Sequence, residues 1–242
     1  MLNVAKKVLH SVGPLHRALS RSRGTRIHSP VAISRPTLRL GSDYGGWVVV
    51  PALLNADSVV YGVGVGEDIS FDLALIERFG CRVDAFDPTP ICGQWIAGQS
   101  LPEKFAFHAI GLSPEDGEIP FKKPATDGHV SFSMANGGSS SSGDDIVLCP
   151  ARRFSTIARD LGHTRVDLLK MDIEGFEYGV IDDMIATGPL PTQWLIEFHH
   201  TMYGHKAQET LDAVAKIEAA GYVLFAVSNV GHEYSFVRKN AL

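Results

Sequence analysis

The sequence is short of the features that mark several protein classes. It holds only three cysteines in 242 residues, Cys81, Cys92 and Cys149. They are scattered and odd in number, with neither metal-ligand spacing nor a disulfide framework. A reducing compartment, the cytoplasm by default, and buried or idle thiols are the expectation. No apolar run approaches the roughly 20 residues that span a bilayer, so no transmembrane segment is expected. The N-terminus lacks the apolar core of a secretory signal. Acidic residues are missing from the first 42 positions, where eight basic ones stand: Lys6, Lys7, Arg17, Arg21, Arg23, Arg26, Arg35 and Arg39. Of the 22 Lys and Arg this leaves 14 against all 27 Asp and Glu after Ser42, a body near −13. A duplex or RNA binder normally shows a basic patch, so nucleic acid is not favoured as a partner. The basic segment, residues 1–40, reads as a leading helix over about Val4 to Ser20 that packs on or trails from the acidic body. A mitochondrial transit peptide, or an arm for nucleic acid or an anionic membrane, is the alternative.

The length suits one large α/β domain with a proper core, and the composition is that of an ordinary globular protein. Pro30, Pro36 and Gly41-Ser42 mark its entry, so residues 41–242 are read as the domain. Its centre is the stretch from Ser58 to Asp87. A short β-type run, Ser58-Val59-Val60-Tyr61, leads into glycines at Gly62, Gly64 and Gly66. Ile69, Leu73, Ile76 and Phe79 then recur at helical spacing. A second strand, Arg82 to Phe86, ends on Asp87. Strand, glycine turn, helix, strand and acidic residue outline a nucleoside-binding half of a doubly wound sheet. Glycines let a ligand approach the backbone, and a carboxylate at the second strand's end can accept both hydroxyls of a ribose. The third glycine of the dinucleotide fingerprint is absent; its position is Glu67. Glu67 and Asp68 would repel a pyrophosphate but tolerate a cationic ligand. That favours S-adenosylmethionine, which carries a sulfonium and an amine. The second half also lacks a Tyr-x-x-x-Lys pair, which counts further against a nicotinamide-dependent oxidoreductase, the alternative enzyme class. A catalytically silent module that kept the cofactor pocket is a third reading.

Gly41 to Trp47 reads as a glycine turn feeding a short strand. It is either a plain hairpin or a loop over the cofactor that brings Tyr44 and Gly45 near it. Further strands are expected at Phe105–Ile110, closed by Gly111, at Val166–Met171 and at Trp194–Ile196. Helices are expected after Phe176 and over Ala207–Ala220, the latter stopped by Gly221. A terminal strand pair spans Tyr222–Val227 and Tyr234–Arg238. Residues 117 to 134 read as hairpin material. The Ser/Gly stretch at 136–145 is expected to be mobile, as a flap or an inert loop.

Polar residues gather at the carboxyl ends of the strands, where open α/β sheets bind ligands. They are Asp87, then Asp172 with Glu174 and Glu177, then Glu197 with His199 and His200. Glu177 reads as a helix cap or a solvated-face residue. Asp172 and Glu197 sit right at strand ends and are candidates for function. One of the two histidines is expected to face the site and the other to be structural. Glu197 and His199, two apart, share a face in extended chain.

These blocks resemble the FkbM-type family of S-adenosylmethionine-dependent methyltransferases. The resemblance is carried by Tyr44-Gly45-Gly46-Trp47, by Tyr61 to Phe71, by Phe86-Asp87-Pro88-Thr89 and by Asp167 to Glu177, over roughly residues 41 to 238. The last block is the most specific, since Lys170-Met171-Asp172-Ile173-Glu174-Gly175-Phe176-Glu177 follows the family's Lys-x-Asp-x-Glu-Gly-x-Glu. The Ser/Gly stretch and the basic segment lie outside it. The resemblance implies a Rossmann-like class I methyltransferase fold, a mostly parallel doubly wound sheet with a C-terminal antiparallel pair. It implies O-methylation, often of a sugar or natural-product hydroxyl, with a small-molecule acceptor. Carried over, it puts the methionine portion against Gly62, Gly64 and Gly66, the ribose on Asp87, and the adenine beside Ile110 and Gly111. Asp172 would lie near the transferring methyl. An alcohol must lose its proton to attack the methyl. His199, or else His200, is read as the general base, with Asp172 or Glu197 orienting it. A divalent cation such as Mg²⁺, held by the same residues, ranks second. Homo-oligomerisation is left open.

Overall fold

The computed structural model describes residues 28, 30–122, 133–134, 146–200 and 202–242. The expected leading helix and the Ser/Gly stretch lie outside these residues. A two-stranded hairpin comes first, β1 (Leu38–Leu40) with β2 (Trp47–Val49), antiparallel. Next come β3 (Val59–Val63), α1 (Ser70–Phe79), β4 (Arg82–Phe86), α2 (Pro90–Ala97) and β5 (Phe105–His108). A group of short strands follows: β6 (Gly111–Leu112), β7 (Gly117–Lys122), β8 (Ser133–Met134) and β9 (Ile146–Arg152). Strands and helices then alternate again through α3 (Phe154–Asp160), β10 (Leu168–Met171), α4 (Glu177–Thr187), β11 (Gln193–Glu197) and α5 (Ala207–Ala219). The chain closes on β12 (Tyr222–Val227) and β13 (Glu233–Arg238).

The main sheet has seven strands in the order β12-β13-β11-β10-β3-β4-β5. The five from β11 to β5 are parallel, and β13 joins β11 antiparallel, so the sheet is mixed. Side chains alternate across it. Tyr61, Val63, Leu169, Met171, Trp194 and Ile196 face α3, α4 and α5 in one large apolar cluster. Val60, Val83, Leu168 and Leu195 face the opposite way, onto Phe71 and Leu75 of α1. A parallel strand buried on both faces has to be apolar throughout, which is why these strands read as continuous runs. The termini of the helices follow local rules. Gly80 ends α1 at φ +68, its N–H returning to Ile76 O, and Gly221 at φ +97 follows the end of α5 and leads into β12.

Two features differ from the sequence reading. Gly111 does not close the third strand; it opens β6, which leaves the main sheet and pairs with β9. The material read as a hairpin is part of a four-stranded sheet, order β6-β9-β7-β8. Its strand β9 and the helix α3 gave no clear signal, because Pro150 interrupts the one and α3 is only seven residues long. The last ten residues of the basic segment also touch the body. Val31 N donates to Leu224 O at 2.8 Å, and Leu38 and Leu40 pack against the α1 face.

Candidate functional site

A cavity of about 620 Å³ opens at the carboxyl ends of β3, β4, β10 and β11, within the usual range for small-molecule sites. Its floor is the turn between β3 and α1. Gly64 has φ +81, and a Cβ there would lie 1.7 Å from Asp172 O, so the turn rests directly on the end of β10. Gly66, at φ +57, has nothing within 4 Å of its Cβ position and lines the cavity. Gly62 does not line it. A Cβ on Gly62 would meet Asp72 Oδ1 at 2.3 Å, so this glycine makes room for a buried carboxylate, not for a ligand.

Asp87 is buried at the cavity wall. Its Oδ1 accepts from Thr89 N at 2.9 Å and Thr89 Oγ at 2.5 Å, and its Oδ2 accepts from Gly66 N at 3.1 Å. The second strand's carboxylate and the glycine turn are thus tied together. Around Asp87 the lining is apolar: Pro88, Ile91, Leu112, Ile119 and Phe121. Gly111 is among the lining residues, with a Cβ position 3.0 Å from Pro88; Ile110 is not. Ile119 and Phe121, two apart on β7, pack with Ile91 and Phe176, so the small sheet roofs this end. Sequence reasoning missed these apolar residues; the alternation of Ile119 and Phe121 was the available signal.

The turn joining β1 to β2 is both a hairpin and a cavity wall. Tyr44, Gly45, Gly46 and Trp47 line the cavity. Ser42 Oγ donates to Asp68 Oδ2 at 2.7 Å and accepts from Gly45 N at 2.8 Å. Partial burial disfavours charge on Asp68, but hydrogen bonds from Ser70 and Ser42 outweigh it and hold the carboxyl below its ordinary range. Asp72 is the opposite case. It is buried beside the cavity with Oδ1 unpaired, and burial raises its carboxyl to about 6 despite the nearby charge of Lys170. Because the folded value is raised, the group favours folding fully below the unfolded value and loses that contribution as pH rises through about 6. Asp72→Asn should therefore raise the melting temperature by several degrees at pH 8, and the gain should shrink toward nothing as pH falls to 4. A gain independent of pH would show that the ionised carboxylate is not the strained form.

The far end of the cavity is acidic. Asp172, Glu174, Glu197 and His199 all line it. His199 is 1% exposed. Its Nδ1–H donates to Glu177 Oε1 at 2.7 Å; Ile173 N and Gly175 N donate to the same oxygen at 3.3 and 3.2 Å. Glu177 is fully buried. It makes no side-chain cap on α4; it gathers two N–H groups of the preceding turn and the histidine, and it has no solvated face. His199 Nε2 points at Glu174 Oε2, Asp172 Oδ1 and Glu197 Oε1, at 3.4, 3.7 and 3.9 Å, with no hydrogen-bond partner. Burial opposes charge on the ring, but Glu177, Glu197 and Glu174 outweigh it and raise its pKa to about 10. Glu174 in turn is raised to about 7 by burial, against the attraction of His199. His200 is buried but not on the cavity; its ring lies edge-on to His232 at 5.0 Å. Lys170 lies under the turn, its Nζ donating to Gly64 O at 2.5 Å and standing 3.9 Å from Asp172 Oδ2.

A glycine turn tied to the carboxylate that ends the second strand, facing an acid-rich strand end, is the arrangement expected of an α/β methyltransferase. The model of the methyltransferase FkbM domain matches residues 59–224, more than half of the chain, and the chain belongs to that family. The match runs from β3 into β12, so the β1–β2 hairpin lies outside it. No curated protein and no solved structure gives a match. No helix among the described residues is long and apolar enough to cross a membrane.

Proposed function

We propose that this protein is an S-adenosylmethionine-dependent O-methyltransferase of a small-molecule hydroxyl, built on a Rossmann-like class I domain of residues 41–242 with the 38–40 strand added to it. The observation that carries the reading is Asp87, buried at the cavity wall and bound to the Gly66 N–H of the glycine turn. Oδ1 is taken by Thr89 N and Oγ, whereas Oδ2 accepts only from Gly66 N among these bonds and keeps accepting capacity for a ribose hydroxyl. The apolar group of Pro88, Ile91 and Ile119 supports an adenine beside it, and Gly64, Gly66 and the Tyr44-Gly45 turn support the methionine portion. The exposed Glu67 and half-buried Asp68 on the lining favour a sulfonium compound over a pyrophosphate. Methyl transfer then needs mainly positioning, which can contribute about 7–11 kcal/mol.

The acceptor enters at the acidic end. His199 is pinned by Glu177 at that end, among carboxylates that favour its charged form over burial. Calorimetry on the full chain tests the cofactor reading: S-adenosylhomocysteine should bind with one-to-one stoichiometry and NAD should not. Binding of NAD alone would overturn it.

A further inference from the structure

We propose that Asp172, Glu174 and His199 bind one divalent cation, Mn²⁺ or Mg²⁺, at the acceptor end of the cavity. The inference rests on the methyl-transfer reading only for its purpose, the polarisation of an acceptor hydroxyl; the site itself stands on geometry. One donor atom from each of the three residues falls within 4.8 Å of the others. Donors bound to one ion at about 2.1 Å stand roughly 3.0 Å apart when adjacent and about 4.2 Å when opposite. The separations of 3.4 and 3.7 Å from His199 Nε2 to Glu174 and Asp172 fall inside that interval. Neither contact forms a hydrogen bond.

The histidine supplies an independent observation. It is 1% exposed, yet Nε2 has no hydrogen-bond partner and is aimed into the carboxylates. A carboxylate is an acceptor only, so Glu177 fixes the proton of the neutral ring on Nδ1 and leaves the lone pair on Nε2. A carboxylate holding the outer nitrogen of an imidazole is the arrangement that orients metal-binding histidines. Glu174 is held in place at a conformational cost. Its φ is +53, rare for a residue with a side chain, and the Tyr203 hydroxyl donates to its Oε2. Such strain persists only where the surroundings enforce it, and it clusters at ligand clamps.

Charge points the same way. Asp172, Glu174, Glu177 and Glu197 lie within ion-pair distance of His199. Among the described residues, the cationic side chains paired with this group are at most two, His199 itself and Lys170 at 3.9 Å from Asp172. With His199 neutral as a ligand, Lys170 alone opposes the four carboxylates, and one divalent ion offsets two of the charges left over. Oxygen-rich donors with a single imidazole suit Mn²⁺ or Mg²⁺ better than Zn²⁺. Three protein ligands leave positions open toward the cavity for water or an acceptor hydroxyl, which the ion would polarise.

The test is a Mn²⁺ titration of the full chain after chelator treatment, read by the loss of the free-ion electron paramagnetic resonance signal. The expected result is one Mn²⁺ per chain with a dissociation constant below about 100 µM, displaced by Mg²⁺. Glu174→Gln and Asp172→Asn, checked for folding by thermal melting, should each weaken Mn²⁺ by about tenfold or more. The wild-type chain is titrated with S-adenosylhomocysteine in parallel. Homocysteine-derivative binding without saturable Mn²⁺ binding overturns the cation site and leaves the cofactor reading standing. Mn²⁺ binding without it does the reverse. Wild-type Mn²⁺ affinity in both folded variants would also overturn the site.

Discussion

Gly64→Ala is expected to leave little folded protein at 37 °C and no binding of S-adenosylhomocysteine. Two costs add at this position. An L side chain at φ +81 carries about 1–2 kcal/mol of backbone strain. The new methyl would also sit 1.7 Å from Asp172 O, a backbone atom that cannot swing aside. Both partners are pinned. Gly64 N donates to Phe86 O at 2.9 Å, and Asp172 N donates to Val63 O at 3.1 Å. Relief requires breaking pairing between central strands, a loss of about 4 kcal/mol or more, which is a large share of the 5–15 kcal/mol that holds a typical domain together. Gly66→Ala provides the contrast. Its φ of +57 brings strain, but no atom lies within 4 Å of the added methyl. It should melt within a few degrees of the parent and still weaken cofactor binding, since the methyl projects at the cavity lining. Thermal melting and calorimetry on the two variants check this. Equal melting temperatures would mean that the turn does not rest on β10 as described.

How far the sequence revealed this arrangement depended on how local each signal was. The Ser58–Asp87 unit was legible because its parts are neighbours in sequence: an apolar run, a glycine cluster, a helical period and a strand ending on an acid. The structure forms β4 over the same residues, Arg82–Phe86, and starts β3 one residue later than expected. Glu174 was visible only as part of a motif, and its left-handed backbone is not written in residue type. The small sheet was harder. Its pairing joins Gly117–Lys122 to Ile146–Arg152 across a long sequence gap, and prolines in both strands disguise the alternation. The cavity's apolar end therefore went unassigned. The place of Gly62 is hidden for the same reason. Its reason for being glycine is a carboxylate ten residues on, Asp72, whose burial no local pattern signals. The place of Glu177 at a helix start suggests a cap, but its partners are the turn N–H groups of Ile173 and Gly175 and His199, 22 residues away.

Asp87→Ala should weaken S-adenosylhomocysteine binding by about 10²-fold or more while the chain stays folded. A hydrogen bond to a charged group contributes about 1.5–3 kcal/mol, and a ribose offers two hydroxyls. A factor of ten in affinity is about 1.4 kcal/mol, so loss of both contacts gives at least that range. The substitution has a structural component as well, since Gly66 N, Thr89 N and Thr89 Oγ all lose their acceptor. Thr89→Val separates the two. It removes only the hydroxyl's hydrogen bond to Oδ1 and keeps the carboxylate. If Asp87 acted only by bracing the turn, Thr89→Val would reproduce a good part of the loss, and both variants would show it in melting temperature. If Asp87 holds the ribose, Thr89→Val should cost less than about tenfold, and Asp87→Ala should cost far more in binding than in stability. Calorimetry with adenosine alone sharpens the distinction, because adenosine keeps the ribose and lacks the methionine portion. Asp87→Ala should abolish its binding, and Gly66→Ala, placed against the methionine portion, should leave it nearly intact.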